Sequence, residues 1–134
     1  MREQLYMTPG VKFSVEERIQ TCEEYSKRWQ RFFELLSEGI EHKKIIEKDE
    51  IAFQQIMHHL AADHFTFSLM MGETFPKSDE ILAVLSEAVS LRHIKYMSEA
   101  QRSSLQLNWH TLFIQMNKCL GKLKLLLPPD TVTS

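Results

Sequence analysis

The stretch His58-His59-Leu60-Ala61-Ala62-Asp63-His64-Phe65 gathers three histidines and an aspartate into eight positions. Imidazole nitrogens and a carboxylate are ligands for zinc, nickel or iron, so the residue types ask for a metal. On a helix, positions four apart point within about 40° of each other, whereas positions five apart diverge by about 140°. His59 and Asp63 therefore share a face, while His58 and His59 both diverge from His64. A site would need a further ligand from another helix, and His93 lies at the matching level if the following helix folds back near residue 75. The candidate metal ligands are accordingly His59, Asp63, His64 and His93.

The established helical signatures for metals are missing. There is no Glu-x-x-His, no His-x-x-x-His and no His-Glu-x-x-His, the spacings that di-iron bundles and zinc enzymes use. A phosphotransfer histidine at position 93 would have bulky Tyr96 and Met97 where a phosphoryl group needs room. No glycine-rich loop is present to cradle a phosphate. Cys22 and Cys119 each fall on an apolar helical stripe, where burial keeps a thiol protonated and inert. They read as two buried free thiols in a reducing cytoplasm, with an N-to-C disulfide as the lesser alternative.

The 134 residues fit one domain, with 43% hydrophobic and 25% charged side chains, ordinary for a globular chain. A formal net charge of −2 gives no overall attraction to nucleic acid. The basic clusters Lys27-Arg28-Arg31 and Lys118-Lys122-Lys124 alternate with acids or lie opposite an apolar stripe, as solvated helix faces do. No apolar run approaches the ~20 residues needed to cross a bilayer. The first residues, MREQLYMTPGVKF, have no apolar core with a small-residue cleavage site, so no signal peptide is expected.

The apolar spacing predicts an all-α, antiparallel four-helix bundle with helices at about 15–38, 49–71, 79–97 and 99–126. Residues 1–13 read as an arm, 14–127 as the bundle domain and 128–134 as a tail. Ser14 with Glu17 and Ser98 with Gln101 have capping-box spacing. Gly39 and Gly72 are the expected helix stops, and Pro76 and Pro128-Pro129 enforce breaks. The third helix is read through Leu82, Val89, Ile94 and Tyr96. No glycine or proline separates it from the last helix, so one continuous rod is the alternative to a turn over 98–104.

Several helices carry more apolar surface than one stripe requires, with Phe65 and Phe67 on the second and Phe32-Phe33 on the first. Such width means burial on two sides or a face that binds something. The reading is a non-enzymatic cytoplasmic bundle without cofactor, acting through self-association or a protein partner. Trp29, Phe32 and Phe65 are the interface anchors. Neither nucleic acid nor membrane is expected as a partner. The competing reading is a metal- or small-ligand-binding bundle built on the histidine run.

Overall fold

A computed structural model describes residues 13–42 and 44–127. Every regular element among them is helical. These are α1 (Val15–Glu41), α2 (Glu47–Met71), a 3-10 turn (Gly72–Thr74), α3 (Ser78–Ala88), α4 (Leu91–Tyr96) and α5 (Glu99–Lys124). The all-α class holds, with five α-helices where four were expected. The expected tail and nearly all of the expected arm lie outside the described residues. Phe13, assigned to the arm, instead packs against the core.

Both capping boxes form. The Ser14 hydroxyl accepts the Glu17 N–H at 3.0 Å and the Glu17 carboxylate accepts the Ser14 N–H at 2.9 Å. That backbone N–H, with the Ser14 hydroxyl, holds the Glu17 carboxyl below its ordinary range. Ser98 and Gln101 repeat the arrangement at the start of α5, so the last helix begins immediately after Ser98. Residues 99–104 are helical, so the expected break before the last helix is present but confined to Met97 and Ser98, and the continuous rod is removed. At the other end of α2, Gly72 takes φ +51°, a backbone conformation open to glycine at no steric cost.

Two boundaries differ from the sequence pattern. α1 runs through Gly39 to Glu41. Gly39 serves close approach rather than chain reversal, because a Cβ there would stand 2.6 Å from Leu91 Cδ1. The expected helix over 79–97 is split at Val89, where φ is +58° and ψ −63°. The Ser90 N–H donates to the Ala88 carbonyl at 2.6 Å across this residue, the geometry of a γ-turn. The break resets the helical phase. Ile81, Val84, Leu85 and Ala88 face the core from α3, and Leu91 and Ile94 continue inward from α4. An unbroken helix would carry Arg92 and Lys95 toward that side instead. Val89 and Tyr96, read as stripe residues, stand 51% and 90% exposed.

A β-branched residue at positive φ is strained, at a cost of order 1–3 kcal/mol. Val89→Gly is therefore expected to raise the thermal midpoint by a few degrees in a calorimetric or circular-dichroism melt. A lower midpoint would show that the Val89 side chain contributes more by packing than its backbone costs.

α1 lies between α2 and α5, and α3 packs on both α2 and α5. Residue pairings give the directions. The Arg18 guanidinium donates to the carbonyls of Met70 at 2.6 Å and Met71 at 3.0 Å, closing the C-terminal end of α2. The Tyr25 hydroxyl donates to the Leu60 carbonyl at 2.7 Å, and its ring stacks on Phe67 at 4.2 Å. Phe32 stacks on Phe53 at 5.2 Å. Positions rising along α1 thus meet positions falling along α2. Toward α5, Trp29 and Trp109 each donate an indole N–H to the other's carbonyl, at 3.2 and 3.0 Å, with rings parallel to within 4°.

Candidate functional site

The histidine run occupies the middle of α2, and helix geometry disperses it as its spacing required. His58 and His59 point outward beside Gln54 and Gln55. Asp63 is paired with Arg28 of α1. His64 turns inward and its Nε2 meets the Ser78 carbonyl oxygen at 2.6 Å, tying α2 to the start of α3. His93 is exposed on α4, its backbone N–H bound to the Ser90 hydroxyl. Among the described residues no three histidine, cysteine, aspartate or glutamate side chains form a group able to hold a metal ion. His59, Asp63, His64 and His93 are not such a set.

The aromatic anchors divide. Trp29 and Phe32 are fully buried within the chain's own core, so neither is available to a partner. Their position on α1, the helix flanked by α2 and α5, accounts for this: the wide apolar face of α1 is covered on both sides. Phe65 is different. It is 73% exposed on α2, one helical turn beyond Ala61 and two beyond His58.

Phe65 shares a face of α2 with His58 and Ala61, which border a groove between α2 and α3. Gln54, Met57, His58 and Ala61 line the α2 side, and Leu82, Leu85, Ser86 and Val89 the α3 side. Leu82, 40% exposed, and Val89 add apolar surface along α3. On the far side of α2 runs a second, more polar groove lined by Thr21, Glu24, Tyr25, Arg28, Asp63, Thr66 and Phe67. The outward face of α2 is thus a ridge with Phe65 as its largest side chain and a groove on either flank. Ridges flanked by grooves are the shape that helix-on-helix packing uses. A second exposed apolar line runs along α5 through Leu107 and Ile114 to Leu125, just past the helix end.

Leu82 and Val89 were missed as face residues because both were assigned to the stripe. The available signal was the phase: Ile81, Val84, Leu85 and Ala88 keep one 3-4 spacing, and Leu82 and Val89 fall beside it rather than on it. Glu50 was missed as a structural residue. Its carboxylate is buried and accepts the N–H groups of Leu91 at 2.9 Å and Arg92 at 3.2 Å, at the start of α4. An acid in phase with Phe53, Met57 and Leu60 was the sign that something polar lay beneath it.

Among the described residues, no helix is long and apolar enough to cross a membrane. Comparison of the chain with family models, with curated proteins and with solved structures found no match.

Proposed function

We propose that this chain is a non-enzymatic protein of the cytoplasm that acts through protein contacts, as a homodimer formed by the α2–α3 face. In this reading, residues 14–127 make one domain, an antiparallel four-helix bundle of α1, α2, α3 and α5 with α4 laid across one end. The observation that carries the reading is Phe65, a large aromatic side chain 73% exposed, one helical turn from Ala61, which with Leu82 and Val89 borders a groove. Burying a phenylalanine side chain contributes about 1.5–3 kcal/mol, and large aromatics dominate the energy of interfaces that seat them in pockets. In a two-fold pairing each Phe65 enters the groove of the other copy, so the same patch serves both subunits.

A non-enzymatic role is supported by how the reactive side chains are used. Asp63 is bound to Arg28, His64 to Ser78 and Glu50 to the start of α4. Cys22 and Cys119 are buried and free, which fits a reducing compartment.

Substitution separates the candidate faces. Phe65→Glu and Leu82→Glu are expected to halve the mass seen by size-exclusion chromatography with light scattering, whereas Leu107→Glu with Ile114→Glu leaves it unchanged. The reverse pattern would move the interface to α5. All four side chains are exposed, so each variant should keep the helical circular-dichroism signal of the parent.

A further inference from the structure

The outer face of α4 gathers cations around a cavity. Arg92, Lys95 and Tyr96 stand at i, i+3 and i+4, the spacing that sets side chains on one face of a helix. Lys44 and Ile45, in the connection between α1 and α2, complete the wall of a cavity of about 300 Å³. Among the described residues, three cations line it and no carboxylate does. Like charges facing one space repel each other until an anion joins them. Arg92 has a loose ion pair with Glu50 at 3.7 Å, but both oxygens of that carboxylate already accept the N–H groups of Leu91 and Arg92. We propose that this cavity is a binding site for a small phosphate monoester that carries a planar ring, a molecule of mononucleotide size.

The wall is held from several sides. Glu50 fixes the start of α4, and the Arg102 guanidinium donates to the carbonyls of Lys95 and Met97 at 3.1 and 3.3 Å, which fixes its end. The Lys95 ammonium donates to the His42 carbonyl beyond the end of α1. This sets it across the cavity and leaves two of its three N–H bonds for a ligand. His42 Nε2 meets the Asp49 carboxylate at 3.3 Å, closing the connection that carries Lys44 and Ile45, and Ile45 packs against the core. The strained Val89 belongs to the same arrangement. Its break turns Arg92 and Lys95 away from the core, and strained backbone concentrates where a function requires it.

The two parts of the ligand have separate partners. Ammonium and guanidinium groups take phosphate oxygens in charge-assisted hydrogen bonds, and Lys44 and Arg92 are exposed enough to reach them. Tyr96, 90% exposed at the rim, offers a ring face for stacking, and Ile45 adds an apolar wall. Ligand cavities run from about 300 to 1,000 Å³, so one at the lower limit admits a mononucleotide and not a dinucleotide.

No residue lining this cavity lines the α2–α3 groove, so the site is tested apart from the docking face. The isotope-labelled full chain is titrated with adenosine monophosphate, adenosine and inorganic phosphate while amide shifts are followed by nuclear magnetic resonance. Adenosine monophosphate is expected to move the amides of Lys44, Ile45, Arg92, Lys95 and Tyr96 to saturation. Inorganic phosphate is expected to move the same amides with about tenfold weaker affinity, the worth of one stacked base, and adenosine to move none. Lys44→Ala is expected to weaken both phosphates about tenfold. Tyr96→Ala is expected to weaken adenosine monophosphate about tenfold and to leave inorganic phosphate unchanged. Both side chains are exposed, so each variant should keep the parent's fold. Absence of shifts at these amides with millimolar adenosine monophosphate would overturn the proposal. So would equal affinity for adenosine monophosphate and inorganic phosphate, or binding unchanged when Lys44→Ala and Lys95→Ala are combined.

Discussion

Trp29→Ala is expected to destabilise the protein by about 3–5 kcal/mol, the range for deleting a large buried aromatic side chain. At roughly 3–5 °C per kcal/mol for a chain of this size, the melting midpoint falls by roughly 9–25 °C. The reason is the pairing with Trp109. The two indoles lie parallel with centroids 6.1 Å apart, and each N–H donates to the other residue's backbone carbonyl. Trp29 also touches Phe32, and Trp109 stacks on Phe33 and Phe113, so one residue anchors aromatic packing on both sides of the α1–α5 seam. Trp29→Phe keeps much of the ring and removes the N–H, for an expected loss of about 1–2 kcal/mol. The same holds for Trp109→Phe. The double-phenylalanine variant is expected to lose less than the two single losses added together, since residues sharing a network couple. Strict additivity in urea denaturation would show that the two hydrogen bonds act independently.

Glu50→Leu is expected to cost about 2–4 kcal/mol, although it replaces a charge with an apolar group in a buried position. The carboxylate is the partner of two backbone N–H groups, those of Leu91 and Arg92, and a buried donor left without an acceptor carries its full desolvation cost. Arg92 adds a looser ion pair at 3.7 Å. Because α4 is only six residues long, its first turn is most of its length and it has few other means of holding its end. Glu50→Gln retains an acceptor oxygen and is expected to lose less than half as much. Hydrogen exchange localises the effect: the amides of Leu91 and Arg92 are expected to exchange much faster in Glu50→Leu, while those in the middle of α5 change only with global stability. Uniform acceleration along the chain would mean that α4 does not unfold separately.

Patterns that act within one or two helical turns were legible in the sequence. The Ser14 and Ser98 capping boxes, the Gly72 stop and the inward course of Cys22, Phe53, Leu60, Met116 and Leu123 all follow from local spacing. What was not legible depends on residues far apart in the chain. Gly39 reads as a stop until Leu91 is seen packed on it. The split between α3 and α4 has no glycine or proline to mark it, because burial of Leu91 and Ile94 outweighs the strain at Val89. Trp29 and Phe32 look like interface anchors by type, and only the position of α1 between two helices places them inside. The histidine run illustrates the converse. Its density in print misled, and the divergence of positions five apart on a helix already indicated that it would disperse.

The claim that the α2–α3 face joins two copies of this chain is tested most directly by the molar mass of the wild-type protein in solution. Light scattering across a dilution series, from about a hundred micromolar downward, is expected to give twice the chain mass of 15.8 kDa at the upper concentrations, with Phe65→Glu remaining at the single-chain value throughout. A wild-type mass of one chain at every concentration would contradict the account.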